Sequence, residues 1–285
     1  MRAQALETYE RREGSSPTLD ATGFVGLAMS PLRFVGGALA RHLAKPRPGQ
    51  SRLATSPPEL LAAALQPGDV LLVEGTSRFS SAIKYLTQST WSHTSLYLGD
   101  RVDPFELGDD ARVLVDADIV EGVRLIPLKE FSGLHTRICR PVGLGEQDVS
   151  TLIAFMLDRV GNTYDLKNVF DLARYFVRRP PVPGAMRRRA LAMGSGEPTR
   201  GICSTLIAQA FGSIRYPILP EVEMLDASAP GAKQARAEIL HIRHHSLYAP
   251  RDFDVSPFFR IVKPRIEHGF EFRSLNWADP AAATD

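Results

Sequence analysis

The chain has 285 residues, enough for one large domain with extensions or for two small domains. Its 44% hydrophobic and 23% charged residues are ordinary globular values, and they allow a sizeable hydrophobic core. The formal net charge of +2 is close to neutral, which excludes a molecule that binds nucleic acid as a polycation over its whole surface.

Cysteine content and the N-terminus bear on the compartment. The two cysteines, Cys139 and Cys203, exclude a disulfide framework, and free thiols fit a reducing environment. The first twenty residues are polar and of mixed charge, and the apolar stretch that follows comes too late for a secretory signal. We therefore expect a cytoplasmic protein.

Residues 1–57 are expected to form a helical, apolar extension and a linker. The stretch 24–45 is apolar, but Pro31 and several charged residues interrupt it, so it falls short of a membrane-spanning helix. Two interpretations stay open. The stretch is either a helix packed on the domain or an interfacial helix at the inner face of the membrane, where Arg33 and Arg41 would contact anionic headgroups.

Hydrophobic periodicity and turn residues predict short, closely spaced elements in the next part of the chain. The predicted helical segments are 58–65, 79–88 and 127–131. The predicted strands are 70–73, 92–99, 112–117, 122–126 and 136–141. Consecutive strands with such short connections favour an antiparallel sheet.

The second half of the chain is predicted to be mostly helical. Predicted helices are 146–160, 164–176, a short apolar helix within 199–212, and 232–241. A final strand is predicted at 258–262, followed by a C-terminal tail at 265–285. The Pro- and Arg-rich insertion at 178–200 is either a solvated loop or a lid or patch for phosphate headgroups.

Cys203 falls at the start of the short apolar helix and is the candidate nucleophile. Ser204 and Thr205 favour a helix N-terminus, and Gly212 favours its end. The positive end of a helix lowers the pKa of a thiol, and the thiolate is the reactive form. The competing interpretation is a small buried core cysteine.

A thiol nucleophile needs a base and a group that orients the base. His93 lies in an alternating strand, where a polar side chain on a core face calls for a partner. Asp116 lies in the following predicted strand, and its carboxylate would fix the imidazole tautomer. Asp118 and Glu121 are close enough in sequence to remain rivals for that role.

Several short motifs together resemble a known family. In chain order they are Pro67-Gly68-Asp69-Val70-Leu71-Leu72, Thr87-Gln88-Ser89-Thr90-Trp91-Ser92-His93, Val115-Asp116-Ala117, Gly122-Val123-Arg124, Tyr164-Asp165 and Ile202-Cys203-Ser204. The chain resembles the circularly permuted papain-like amidases, the YiiX/YaeF-like branch of the NlpC superfamily, which is related to lecithin–retinol acyltransferase. In that branch the histidine strand precedes the cysteine helix, as it does here.

The resemblance covers about residues 58–262 and implies an α+β fold, in which a small antiparallel sheet or partial barrel packs against helices. It implies a permuted papain-like catalytic domain at 58–264 that contains the basic insertion. The implied activity is that of a cysteine-dependent hydrolase or acyltransferase, which acts on an amide or ester bond through an acyl-enzyme and needs no cofactor.

The resemblance also implies roles for individual residues. Cys203 would be the nucleophile and His93 the base, and Asp116 stands where many relatives carry Glu. Tyr164 and Ser204 would contact the substrate, which would be a peptide amide such as a cell-wall fragment or a lipid acyl group.

Alternative functions have their own sequence signals. A non-catalytic membrane- or partner-binding module on the same scaffold would be expected to lack Cys203 or His93, and both are present. His241, His244 and His245 are spaced to share a helical face and bind a metal, although we expect a surface cluster and no metal site. The Arg triplet in the insertion lacks a base-reading motif, so no nucleic-acid partner is expected, and the oligomeric state stays open.

Overall fold

The computed structural model describes residues 45, 54–99, 113–118, 121–163, 202–224, 238–241, 245 and 248–275. Most of the predicted N-terminal extension, the predicted helix at 164–176, the basic insertion and the end of the C-terminal tail therefore lie outside the described residues. The proposed domain boundaries stay predictions.

From α1 to α4, the described helices and strands follow the predicted order. The helices in the described part of the chain are α1 (Pro58–Ala64), α2 (Arg78–Thr87), α3 (Glu146–Leu157), α4 (Ile202–Ser213), α5 (Pro250–Asp254) and α6 (Pro264–Glu267), with 3₁₀ turns at Leu128–Phe131 and Phe272–Ser274. The strands are β1 (Val70–Val73), β2 (His93–Gly99), β3 (Val113–Asp118), β4 (Gly122–Pro127), β5 (Thr136–Pro141), β6 (Glu221–Met224), β7 (Glu238–His241) and β8 (Phe259–Val262).

Six of these strands form one antiparallel sheet in the order β4-β3-β2-β1-β5-β8. The sheet is open, with β4 and β8 at its edges, and β6 and β7 pair separately. This arrangement confirms the predicted α+β class with an antiparallel sheet. It places β2 and β3 side by side, which brings the two strands with the candidate base and carboxylate together.

The predicted helix at 232–241 is wrong at its C-terminal end. Residues Glu238–His241 form strand β7, with Glu238 opposite Met224 and His241 opposite Glu221. Pairing with β6 overrides the helix-forming residues that precede it in the sequence, since tertiary contacts readily override local propensity. His241 therefore does not lie on the helical face that the three-histidine metal hypothesis required.

Strand β2 is buried on both faces because alternate side chains enter two different apolar clusters. Leu96 and Leu98 belong to the cluster that contains Ile207 and Phe211 of α4. Tyr97 belongs to the cluster on the other face, which contains Leu61 and Leu65 at α1. Only the first residue of β2 escapes full burial, and that residue is His93.

A buried ion pair joins the turn before β1 to strand β5. Arg140 donates from Nε to Asp69 Oδ1 (2.8 Å) and from Nη2 to Asp69 Oδ2 (2.7 Å). The same Nη2 donates to the Ala64 carbonyl at the end of α1 (2.6 Å). Asp69 also accepts the Gln66 N–H at 2.8 Å and is only 1% exposed. The pair thus fixes α1 and the turn against the central sheet.

We expect Arg140→Leu to lower the free energy of unfolding by about 3–5 kcal/mol, because it leaves the Asp69 carboxylate buried without its countercharge. Urea denaturation followed by circular dichroism measures the change. Arg260→Leu is the matched control, since Arg260 lies opposite Arg140 on β8 and is exposed. The control should stay within about 0.5 kcal/mol of the wild type. Equal losses in the two variants would contradict a structural role for the ion pair.

Candidate active site

The segment before β2 fixes the position of His93. The Ser92 N–H donates to the Val73 carbonyl (3.1 Å), and the Ser92 hydroxyl accepts the Gly75 N–H (2.9 Å). Val73 lies opposite His93 in the β1–β2 register. Phe131 places its ring edge against the imidazole, with 5.8 Å between ring centroids. The imidazole is therefore held between backbone hydrogen bonds and an aromatic neighbour.

Trp91 anchors the same segment to distant parts of the chain. Its Nε1 donates to Asp254 Oδ2 at 2.9 Å. The Arg137 guanidinium lies 4.9 Å from the Trp91 ring centroid and donates to Asp254 Oδ1 at 2.5 Å. The His135 ring packs against Trp91, with 4.8 Å between the ring centroids. Side chains from β5 and α5 thus hold the approach to His93.

Cys203 lies one residue inside the N-terminus of α4, as predicted. Its side chain is 5% exposed, and α4 packs against β2, β3 and α3. The next residue, Ser204, is fully buried and donates its hydroxyl to the Tyr248 carbonyl at 2.8 Å. This bond joins the start of α4 to the segment before α5 and fixes the position of the thiol.

Asp116 contacts His93 from the neighbouring strand β3. Its Oδ1 contacts His93 Nε2 and accepts the Ser95 hydroxyl at 3.1 Å. Arg124 lies opposite Asp116 on β4 and places Nη2 at 3.5 Å from Oδ2. Because the carboxylate is only 3% exposed, these partners replace the water that it has lost.

His93 interacts with both of the other predicted residues, the Cys203 side chain and the Asp116 carboxylate. Burial alone would raise the pKa of Cys203, but the His93 imidazolium outweighs it and lowers that pKa. Burial alone would lower the pKa of His93, but the Asp116 carboxylate and the Cys203 thiolate raise it well above its ordinary value. The site favours a thiolate–imidazolium pair.

The pKa of the Asp116 carboxylate is likewise set by burial and by neighbouring charges, which act in opposite directions. Burial raises the pKa of Asp116, and the His93 charge, followed by Arg124, lowers it below its ordinary value. The rivals have other partners in the described structure. Asp118 Oδ1 accepts the Glu121 N–H at 3.0 Å, and Glu121 Oε2 pairs with Arg124 Nη1. Of the three candidate carboxylates, Asp116 is the one in contact with His93.

The predicted substrate-binding residues are Tyr164 and Ser204, and only Ser204 lies in the described part of the chain. Tyr164 lies outside the described residues. Ser204 is described, and its hydroxyl points away from solvent toward the Tyr248 carbonyl. That position supports a structural role for Ser204, so substrate contact by its side chain stays an unsupported prediction.

Sequence reasoning missed two partners of Asp116. Ser95 is two residues after His93, so strand alternation puts both side chains on the face that Asp116 reaches. The contact of Arg124 with Asp116 depends on the register between β3 and β4, which could not be predicted from the sequence. Among the described residues, no cluster of three or more His, Cys, Asp or Glu is arranged to hold a metal ion.

Comparison with known proteins finds a family that part of this chain resembles. Residues 64–176 match the model of the family described as "Permuted papain-like amidase enzyme, YaeF/YiiX, C92 family". The match agrees with the resemblance predicted from the sequence: this part of the chain is similar to the permuted papain-like amidases. The matched segment contains His93 and Asp116 and ends before Cys203.

A solved structure, described as a crystal structure of the metalloprotein yiiX from Escherichia coli O157:H7, is similar to this chain at 19% sequence identity. The alignment covers 70% of this chain and 97% of that chain, with a TM-score of 0.42. The search of curated proteins found no match.

The family indicates a cysteine-type hydrolase of the amidase or peptidase class, with a peptide-type substrate. Neither the comparisons nor the described structure supports a lipid substrate or membrane contact. No helix in the described ranges has both the length and the apolar character needed to cross a membrane. The predicted interfacial stretch lies outside those ranges, apart from Lys45.

We expect Asp116→Asn to lower the pKa of His93, because it removes the carboxylate that stabilises the imidazolium. The His93 imidazolium then loses its proton at a lower pH. The thiolate–imidazolium pair therefore persists over a narrower pH range, because its upper limit falls. A ¹H–¹⁵N NMR titration of the His93 ring measures this change. Asp118→Asn is the matched control on the same strand and should leave the titration of His93 unchanged. Identical titrations in the two variants would contradict the assignment of Asp116.

Proposed function

We propose that this protein is a cysteine-dependent amidase that cleaves peptide-type amide bonds through an acyl-enzyme. Cys203 is the nucleophile, His93 the general base and acid, and Asp116 the group that orients His93. The observation that carries the proposal is the thiol–imidazole–carboxylate chain, in which the pKa of Cys203 is lowered and that of His93 is raised. A structural cysteine in an apolar core would show the opposite shift, as Cys139 does.

The contact with Asp116 decides which imidazole nitrogen does the chemistry. His93 Nε2 faces Asp116 Oδ1, so Nδ1 is the nitrogen available to Cys203. In the imidazolium both nitrogens carry a proton, and Asp116 accepts one of the two N–H bonds. The carboxylate thereby holds the ring in one orientation through each proton transfer.

Acylation begins from the thiolate–imidazolium pair, in which the Cys203 proton already lies on His93 Nδ1. The thiolate attacks the amide carbonyl, and a C–S bond forms as the carbonyl π electrons move to oxygen. Backbone N–H groups at the start of α4, including that of Cys203, are the candidate donors to this oxyanion, since the first helical N–H groups have no partner within the helix. The C–N bond then breaks, and His93 returns its proton to the leaving amine.

Deacylation uses the same groups in reverse roles. His93, now neutral, takes a proton from water, and the hydroxide attacks the thioester carbonyl. The C–S bond breaks, the carboxylic acid leaves, and the thiolate and the imidazolium are restored. An amine or alcohol acceptor in place of water would give acyl transfer, so hydrolase and acyltransferase differ only in this second step.

The substrate assignment depends on the family description, which is that of an amidase. Ester and lipid acyl groups would undergo the same two steps, and nothing in the described residues favours them. Burying the charged pair of Cys203 and His93 costs free energy, and neutral groups would avoid that cost. The alternative of a non-catalytic binding module gives no reason for keeping the charged pair.

We expect iodoacetamide to alkylate Cys203 well below pH 8.5, near which a free thiol ionises, and to label Cys139 hardly at all. Cys139 is the internal control, because it is completely buried and burial strongly raises its pKa. Peptide mass spectrometry resolves the two sites across pH. In His93→Ala the low-pH reactivity of Cys203 should be lost. Labelling of Cys203 that tracks an ordinary thiol and ignores His93 would refute the proposed pair.

The substrate class requires a separate assay. A panel of peptide amides, matched esters and acylated lipids, with and without a hydroxylamine acceptor, distinguishes amidase, esterase and acyltransferase activity. For whichever substrate of the panel is turned over, Cys203→Ala and His93→Ala should each lower kcat/KM by about three orders of magnitude or more. Ester or lipid turnover with no amide turnover would overturn the substrate assignment while leaving the nucleophile in place.

A further inference from the structure

Thr94 follows His93 in β2, and its side chain is completely buried. Its hydroxyl oxygen has no hydrogen-bond partner in the described structure. A buried hydroxyl without a partner costs about 1–3 kcal/mol, so native structures rarely keep one without a reason.

Strand geometry turns Thr94 toward the helix that carries the nucleophile. Thr94 lies on the face of β2 that also carries Leu96 and Leu98, and those residues cluster with Cys203 and with the apolar face of α4. The pairing of β2 with β3 ends at Leu96 opposite Val115, so Thr94 lies beyond the last of these pairs. The side chain of Thr94 is thus enclosed next to the start of α4.

Ionisation of the Cys203 thiol changes the hydrogen-bond acceptor that is available to the Thr94 hydroxyl. A neutral S–H is a weak donor and a weak acceptor, whereas a thiolate is a full charge that accepts hydrogen bonds. Burial raises the pKa of Cys203, and the His93 charge lowers it most. The Thr94 hydroxyl and the Thr94 backbone N–H lower it further. The ionised sulfur is therefore the acceptor that this buried hydroxyl lacks.

We propose that Thr94 is a second donor to the Cys203 thiolate, holding the charged sulfur at a fixed position while His93 carries the proton. This inference depends on the proposed function, because it assigns Thr94 a part in the same thiolate–imidazolium pair. The hydroxyl is desolvated before the reaction begins, so its bond to the sulfur needs no further loss of water.

Among the described residues, three charged side chains act on the sulfur directly or through a neighbour. His93 faces Cys203 from β2, Asp116 reaches it from β3 through the imidazole, and Arg124 on β4 acts through Asp116. Thr94 differs from these groups because it is neutral. Its removal changes the environment of the thiolate without changing the net charge of the site.

The test is the pH profile of Cys203 alkylation by iodoacetamide in Thr94→Val and Thr94→Ser. Thr94→Val keeps the shape and loses the hydroxyl, so labelling at pH 6 should slow by on the order of tenfold, the loss of one charge-assisted hydrogen bond. The profile should move to higher pH. Its high-pH plateau should be equal or slightly higher, because a less stabilised thiolate is more nucleophilic. Thr94→Ser keeps the donor and should follow the wild type.

Thr87→Val is the matched control, because Thr87 is another buried threonine whose hydroxyl donates within its own helix, to the Ile83 carbonyl at 2.8 Å. It should leave the profile unchanged. Thermal unfolding of each variant separates damage to the fold from loss of the donor. If Thr94→Val does not fold, Thr94→Ala against Thr94→Ser gives the same comparison.

The outcomes separate the two proposals. A wild-type profile at low pH that Thr94→Val does not move would overturn the role of Thr94 and leave the Cys203–His93 pair intact. A wild-type profile at the pH of an ordinary thiol would overturn the proposed pair and, with it, the role of Thr94. A lowered plateau with an unmoved midpoint would assign Thr94 a packing role only and would also overturn the proposal.

Discussion

The site depends on a competition between burial and charge pairing. Cys203 and Asp116 are almost completely buried, and burial opposes a charge on every group of the contact chain. In the proposed site, each charge is stabilised by the opposite charge on the next group, from thiolate to imidazolium to carboxylate. Removing water from such a pair also strengthens the attraction within it. The same burial that would neutralise one charge alone therefore holds the charges together as a set.

The sheet order makes this set possible. β2 and β3 are neighbours, so His93 and Asp116 meet across one strand interval, and α4 brings Cys203 to the end of β2 where burial is incomplete. The rest of the fold holds these elements in place. The Asp69–Arg140 pair fixes the turn before β1, and β1 in turn sets the register of β2. Small errors in that register would separate His93 from its partners, because a slip of one residue reverses the faces of a strand.

Much of this could be predicted from the sequence, for identifiable reasons. Alternation placed His93 in a strand, the Ser-Thr pair after Cys203 marked a helix start, and short connections indicated an antiparallel sheet. The sequence could not decide among Asp116, Asp118 and Glu121, because that choice depends on the register of β3. It also could not reveal that the face of Thr94 meets α4. The helix predicted at 232–241 failed where β7 pairs with β6, since local preference carries no information about a distant partner.

The order of the site residues along the chain has a consequence for the protein during its synthesis. His93 and Asp116 precede Cys203, and the family match that contains them ends before the nucleophile. A nascent chain that has emerged only as far as β5 carries His93 and Asp116 but not yet Cys203. When Cys203 emerges, its thiol has the low reactivity of an ordinary free cysteine until α4 docks on β2. In the proposed mechanism, the reactivity of Cys203 therefore appears only when α4 docks, after the strands that carry His93 and Asp116 have been synthesised.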